Sequence, residues 1–529
     1  MMYNKKRTYY LFFALLTAAV LVFAGCGNKA KESGGKSKKE TTETSPSKSG
    51  NNEIVIGVPG DPQNWDPIAV FLLDWSTVAT SVFEGLIDRT INLELQPGLA
   101  EEWDYLDDTT LQFKLREGVE FHNGEPFNAD AVKFTFDRLL GEEGAKGPQQ
   151  ANYTSIKEVE VVDQYTVKFH LNEPDPVLLT KLSGYGAVIV PPKYIQEHGV
   201  EHFSKNPVGT GPFKMTSYKQ DSEIVLEKND HYWKEGLPKL DKVTFRVIPE
   251  ASTRLAELQT GNIDIMKRVE FSQVDSVKGN DSLELMEVGT PTAYSFRFDV
   301  DKKPVDDVRV RQAINYAIDK EAIISEILQG YGKMISSFQS ELSFGYNPDL
   351  DPYPYDVEKA KELISEAGAE GSTLEIYVPG NDGTFKEIAQ VVSYYLEEVG
   401  LKANIQTVDS NTFTSELIPN GKAGHMYRMG WGGWTLDFDN TAYLMYKKGE
   451  FWNPHFHDDK VDELLEAQRS TIDQEEREKI FKELTERLHE LAPEVNLYSV
   501  IDLYAVNDHV QNFQPPHDDR LRLEEVTTK

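Results

Sequence analysis

Apolar and polar residues alternate in short runs through the first part of this chain. "EIVIGV" (Glu53–Val58) reads as a strand, and "GDPQNWDP" as the turn-rich loop after it. "VEVVDQYTVKFHL" (Val159–Leu171) alternates on both sides of a short polar turn, which predicts a β-hairpin. "SEIVLEK", "DKVTFRVI", "SLELMEV" and "AYSFRFDV" predict further strands. Helical spacing is rarer here. "WSTVATSVFEGLI" places Val78, Val82 and Phe83 on one side, and Asn128 can cap a helix that follows it.

The second half changes period. "TLEIYV" (Thr373–Val378) is a strand and "PGNDG" a breaker loop. The run after it sets Phe385, Ile388, Val392, Leu396 and Val399 on one helical face, before "KANIQTV" returns as a strand. This is a β-α-β unit, expected to be parallel and right-handed. A helix is expected over Asp356–Ala367, with Asp356 as its cap and Gly368 just past its end. Two more are expected at Lys460–Arg469 and Gln474–Leu491, and "VNLYSV" (Val495–Val500) is a late strand. No internal repeat stands out. Many antiparallel-looking strands, then β-α-β, describe an α/β chain of at least two lobes, since roughly 480 folding residues exceed one core.

The front end does not fit that pattern. Lys5, Lys6 and Arg7 precede sixteen residues, Tyr9–Ala24, without a charge or helix breaker. A spanning helix needs about 20 apolar residues, so a basic flank and a shorter apolar core describe an export signal. It ends at Ala24-Gly25-Cys26, which resembles the bacterial lipobox, although Phe23 stands where Leu is usual. Cys26 is the single cysteine of the chain and has no partner to pair with. The expectation is a signal peptide over residues 1–25, a lipid on Cys26, and a flexible polar tether over 26–52. The alternative is an ordinary signal peptide with a free thiol. Losing residues 1–25 moves the net charge from −32 to −35. Nucleic-acid binding needs a basic face, so it is excluded as a partner class.

Several long blocks carry a family resemblance. "PGLAEEWDYLDDTTLQFKLREGVEFHNGEPFNADAVKFTFDRLL" (Pro97–Leu140) resembles the signature of the solute-binding lipoproteins of bacterial peptide/nickel ABC importers, extracellular solute-binding family 5. "NPVGTGPFKMTSYKQDSEIVLEKNDHYWKEGLPKLDKVTFRVI", "PVDDVRVRQAINYAIDKEAII" (Pro304–Ile324) and "YDVEKAKELISEAG" (Tyr355–Gly368) resemble its later blocks, in the same order. The likeness runs from Ile54 to Val500.

The resemblance implies a bilobal, periplasmic-binding-protein-like α/β fold with mixed sheets whose edges face across a cleft. A two-segment hinge joins the lobes, and the crossings are expected near Thr290 and Asn496. The first lobe takes residues 53–92, 207–290 and 497–529, with an extra subdomain over 93–206. The second lobe takes 291–496. It further implies a monomer, lipid-anchored on the extracytoplasmic face of the cell membrane, that hands a peptide to ABC permease subunits. No cofactor and no resident metal are implied.

"YRMGWGGWTLDFDNTAYLMY" (Tyr427–Tyr446) is the richest candidate site. In many family members a Gly-Trp segment precedes an Asp that pairs with the ligand's ammonium group. Asp437 matches that Asp if the longer loop applies, with Asp439 as the fallback; in the shorter form Trp434 stands there instead. Either acid could equally cap the helix that follows. Trp431 and Trp434 suit a cleft wall. Trp75, with Leu73, Asp74 and Ser76, is the candidate from the first lobe, against a buried helix start; Tyr185 either reaches the cleft or packs near Pro191.

Peptide binding by lobe closure is the expected function. Within the family the alternatives are an oligosaccharide, read by stacking on Trp434, Trp431 and Trp75, or a nickel complex. From another class the alternative is a cell-surface hydrolase. Asp437 and Asp439 sit in one loop rather than across a cleft, which disfavours acid/base glycoside chemistry. "HFH" (His455–His457) beside Asp458 and Asp459 has metal-ligand types, but in a polar loop expected to face solvent.

Overall fold

The computed structural model describes residues 52–70 and 73–529. The expected signal segment, Cys26 and nearly all of the tether lie outside the described residues.

Two long antiparallel strands, Leu283–Phe298 and Glu494–Asn507, organise the molecule. On one side Glu494–Asn507 pairs with Ile265–Lys267, then come Glu53–Val58 and Lys242–Val247 in parallel, then Glu223–Lys228 and Phe213–Lys219. On the other side Leu283–Phe298 pairs with Met426–Gly432, which leads in parallel to Thr373–Pro379 and Lys402–Val408. With Gly332–Met334 also paired to Glu494–Asn507, eleven of the described strands join one hydrogen-bonded sheet. The two expected sheets are its halves. At a rise of about 3.3 Å per residue, a 16-residue strand reaches roughly 50 Å, enough to serve both lobes.

The crossing shows as a defect in this ladder. Register between the long strands breaks between Gly289 and Ala293, and such bulges bend a strand. Thr290 Oγ1 there donates to the Val500 carbonyl at 3.2 Å. The second segment therefore crosses at Val500. Asn496, the expected position, pairs with Ser295 inside the second lobe and donates to the Ser336 carbonyl.

Separate cores confirm the bilobal α/β architecture. In the first lobe Ile54, Ile56, Phe213 and Phe245 are buried together; in the second, Phe296, Ile314, Ile376 and Val392. A third core belongs to the extra subdomain, a four-stranded antiparallel sheet against the helix Ala129–Leu140. There Phe169 meets Phe113 and Phe136 edge to face, at 5.2 and 4.8 Å between centroids.

Local signals act as elementary rules require. The helix Gly383–Glu398 starts where the Asp382 carboxylate accepts the Phe385 N–H at 2.9 Å. It buries Phe385, Ile388, Val392 and Leu396, each worth about 1.5–3 kcal/mol of transfer free energy. Asp356 caps the helix Val357–Ala367, which stops at Gly368 with φ +64°. The expected helix from Trp75 to Ile87 is a miss in part. It spans only Leu73–Ala79, and tight turns then carry the buried Val82 and Phe83, with Ser81 N–H bonded to Val78 O and Val82 N–H to Ala79 O.

Candidate functional site

The strand Met426–Gly432 delivers the aromatic, glycine-rich loop to the boundary between the lobes. Leu436 takes φ +58°, and Phe344 clamps the loop from both sides: its N–H donates to Leu436 O and its carbonyl accepts from Phe438 N–H. The helix Phe438–Tyr446 begins there, and Asp437 is its cap, accepting the Asp439 N–H at 2.9 Å.

Neither acid of this loop is available to a ligand ammonium. Asp437 is buried and takes a two-pronged ion pair from Arg477, at 2.6 and 2.7 Å, whose guanidinium is fully buried. Asp439 is buried against Arg469 at 2.6 Å, with Gln468 also donating to it. Both partners lie in the second lobe, on or beside the helices Asp459–Ser470 and Gln474–Leu491. The capping alternative is the one the structure shows, and the ion pairs close off the ligand role expected for these carboxylates.

The aromatics divide. Trp431 stays within its own lobe, donating to Asn440 at 3.2 Å and meeting Trp452 edge to face. Trp434 crosses: its ring meets Tyr185 at 5.7 Å between centroids, and a Cβ added at Gly184 would fall 2.3 Å from it. Tyr185 in turn packs against Trp75 at 5.8 Å. Trp75 is only 3% exposed, the buried helix start of the alternative reading, and Asp74 beside it is half-exposed, 3.9 Å from Arg268. Arg89, buried in the first lobe, donates across the boundary to Thr435 O at 2.8 Å. The lobes are in contact along this line.

Beside that contact lies a cavity of about 390 Å³, walled by both lobes and by both crossing strands. Tyr185 and Trp434 line it, as do Thr290 and Tyr294 of the crossing, and Arg268 and Asp502 supply opposite charges. Asp518, Asp519 and Arg520 complete the rim. Asp519 is held by the buried Lys267 at 2.5 Å, and Asp518 by Arg522 at 3.1 Å. Burial, reinforced by the neighbouring Asp519 charge, pushes the Asp502 carboxyl up to about 6.

Arg268, Asp502 and the Asp518–Arg520 rim are not among the residues expected from the sequence. One signal existed for Asp502: it is a lone acid inside the apolar run "VIDLYAV". Arg268 had none, since its φ of +58° is invisible in the sequence. His455, for its part, faces Asp301 at 2.8 Å and Asp299 at 3.1 Å, while Lys302 reaches Asp299 at 3.0 Å, and His457 lies at the surface beside Asp459.

The chain and its fold resemble known proteins. The family model "bacterial extracellular solute-binding proteins, family 5 middle" matches residues 94–453. A glutathione-binding protein, GsiB of Pectobacterium atrosepticum, is 30% identical over 79% of this chain and 82% of its own length. Among solved structures, the substrate-binding protein CtaP of Listeria monocytogenes matches with a TM-score of 0.83 at 25% identity, over 90% of this chain and 99% of its own. The binding protein DppA of Helicobacter pylori, solved with the peptide STSA, matches at 0.76 and 26% identity, over 90% and 98%. The chain belongs to the bacterial extracellular solute-binding proteins of family 5.

Proposed function

We propose that this protein is the lipid-tethered receptor of an ABC importer, capturing di- or oligopeptide-class solutes between its lobes and handing them to the permease. The observation that carries the reading is the cavity at the crossing strands, walled by both lobes and lined by charges of both signs. Two strands that pass between lobes form a hinge, and a cleft between hinged domains is a favoured ligand place. Trp434 and Tyr185 form the closing contact over the ligand, with Trp75 and Asp74 behind them. Membership in the family supports delivery to an importer.

The tether rests on Cys26 after the short apolar run, and no helix among the described residues is long and apolar enough to cross a membrane. Binding without turnover is supported by the state of the loop acids: Asp437 and Asp439 are locked to Arg477 and Arg469, so these two do not form an acid/base pair of the glycosidase kind. Mass spectrometry of small molecules released by denaturing the natively purified protein tests the reading. A peptide-class solute at near one per chain is expected. An oligosaccharide, or a cleavage product after incubation with peptide, would overturn it.

A further inference from the structure

Among the charges around the cavity, two differ from the rest. Asp519 and Asp518 are matched by Lys267 and Arg522. Arg268 makes no side-chain hydrogen bond to another described residue. Its closest carboxylates are Asp519 at 3.6 Å and Asp74 at 3.9 Å, beyond hydrogen-bond reach. The Asp502 carboxylate makes neither a hydrogen bond nor an ion pair with any described residue, although it lines the cavity and burial, with the Asp519 charge beside it, disfavours its ionised form. An unpartnered carboxylate such as Asp502 costs free energy when partly desolvated, and that cost is recovered when a ligand supplies the partner, while Arg268, held only by long ion pairs, keeps its hydrogen-bond donors open.

The backbone holds both in place. Lys267 pairs with Tyr504, and Val269 N–H donates to Leu503 O, so the chain is pinned on either side of Arg268 while Arg268 itself adopts φ +58°. Leu436 and Asp519, two more of the non-glycine residues with positive φ, line the same cavity. Strain of this sort persists where the surrounding structure over-determines it, and it gathers at ligand sites. Asp502 sits on the crossing strand one residue from Leu503, so Arg268 and Asp502 are neighbours across one strand pair. They feel each other's charge without forming an ion pair.

We propose that Arg268 and Asp502 form a two-point clamp for a zwitterionic amino-acid head, Arg268 taking the ligand's carboxylate and Asp502 its ammonium. This deepens the peptide-class reading and rests on it. A linear peptide separates its terminal charges by about 3.3 Å per residue, so only the shortest could satisfy two adjacent groups. A solute with both charges on one carbon satisfies them together; the γ-glutamyl end of glutathione is such a head. The cavity volume of about 390 Å³ lies at the small end of ligand sites, which suits a solute of that size. An arginine fork also recognises a carboxylate in a bidentate way that a lysine would not.

Calorimetric titration of the stripped full-length protein with reduced glutathione, N-acetyl-glutathione and trialanine tests the clamp. Glutathione is expected to bind, and N-acetylation, which removes the ammonium charge, to weaken it at least about tenfold. Arg268→Ala and Asp502→Asn should each weaken glutathione by a similar factor, with the ligand-free melting temperature held within a few degrees. Asp502→Asn should add little to the N-acetyl loss, because both remove the same contact. Trialanine binding with no glutathione binding overturns the clamp and leaves the solute-binding reading standing. Unchanged glutathione affinity in both variants also overturns it. Failure of all three probes and of a mixed peptide digest overturns clamp and reading together.

Discussion

Replacing Asp437 by Ala separates a structural carboxylate from a ligand anchor. The substitution removes two charge-assisted hydrogen bonds, at 2.6 and 2.7 Å, from a guanidinium with no exposed surface. Gln468 keeps some of Arg477's donors occupied, but its charge is left uncompensated in a low-dielectric setting. Breaking such a pair from one side costs about 3–5 kcal/mol. Loss of the helix cap lies within that figure rather than on top of it. For a lobe of about 200 residues, each kcal/mol moves the melting temperature by about 2–4 °C, so a fall of roughly 6–20 °C is expected. Removing both charges with residues of similar volume, Asp437→Leu with Arg477→Met, should restore most of it. Thermal unfolding of ligand-free protein reads the effect, and calorimetric titration below the variant's melting range reads binding, which should stay within about threefold of the parent. An unchanged melting temperature with affinity down by about tenfold would show that Asp437 contacts the ligand instead of capping its helix.

Other expectations follow from separate features. Cys26→Ser should move the protein from the membrane to the soluble or secreted fraction on fractionation; unaltered retention would rule out the lipid. Gly184→Ala should weaken ligand binding while sparing the ligand-free melting temperature, because the new Cβ would fall 2.3 Å from the Trp434 ring and obstruct the closing contact. Glu84, half-buried and accepting from Thr210, Tyr232 and Trp233, is pushed up to about 7 by desolvation. Its unfolded carboxyl ionises near 4.5 while the folded one keeps its proton. Its contribution is therefore whole below pH 4.5 and declines as pH rises to about 7, by at most about 1.4 kcal/mol per pH unit. Glu84→Gln should flatten that slope in chemical denaturation across pH 4.5–7, and an identical slope in parent and variant would contradict the burial argument.

What the sequence disclosed was what short-range physics controls. The stripe of Phe385, Ile388, Val392 and Leu396, with Asp382 before it, determines a helix without outside help, and the strands on either side follow from alternation. The Asp437 side chain was a different problem. Its cap is local and was among the readings open from sequence, but its ion-pair partner stands 40 residues away on another helix. No spacing rule connects two such residues. The union of both half-sheets through two long strands was hidden for a related reason: the glycine and proline at Gly289 and Pro291 look like a strand end, whereas the ladder resumes at Ala293. Arg268 could be found only from backbone geometry, since the residue type alone describes a surface cation.

The claim that the lobes close on a solute at the crossing strands is tested most directly by small-angle scattering. The protein is stripped by reversible denaturation, then measured before and after the released small-molecule fraction is returned. A smaller radius of gyration is expected with ligand, and a smaller change when Gly184→Ala obstructs the Trp434 contact. The same radius at saturating ligand would contradict it.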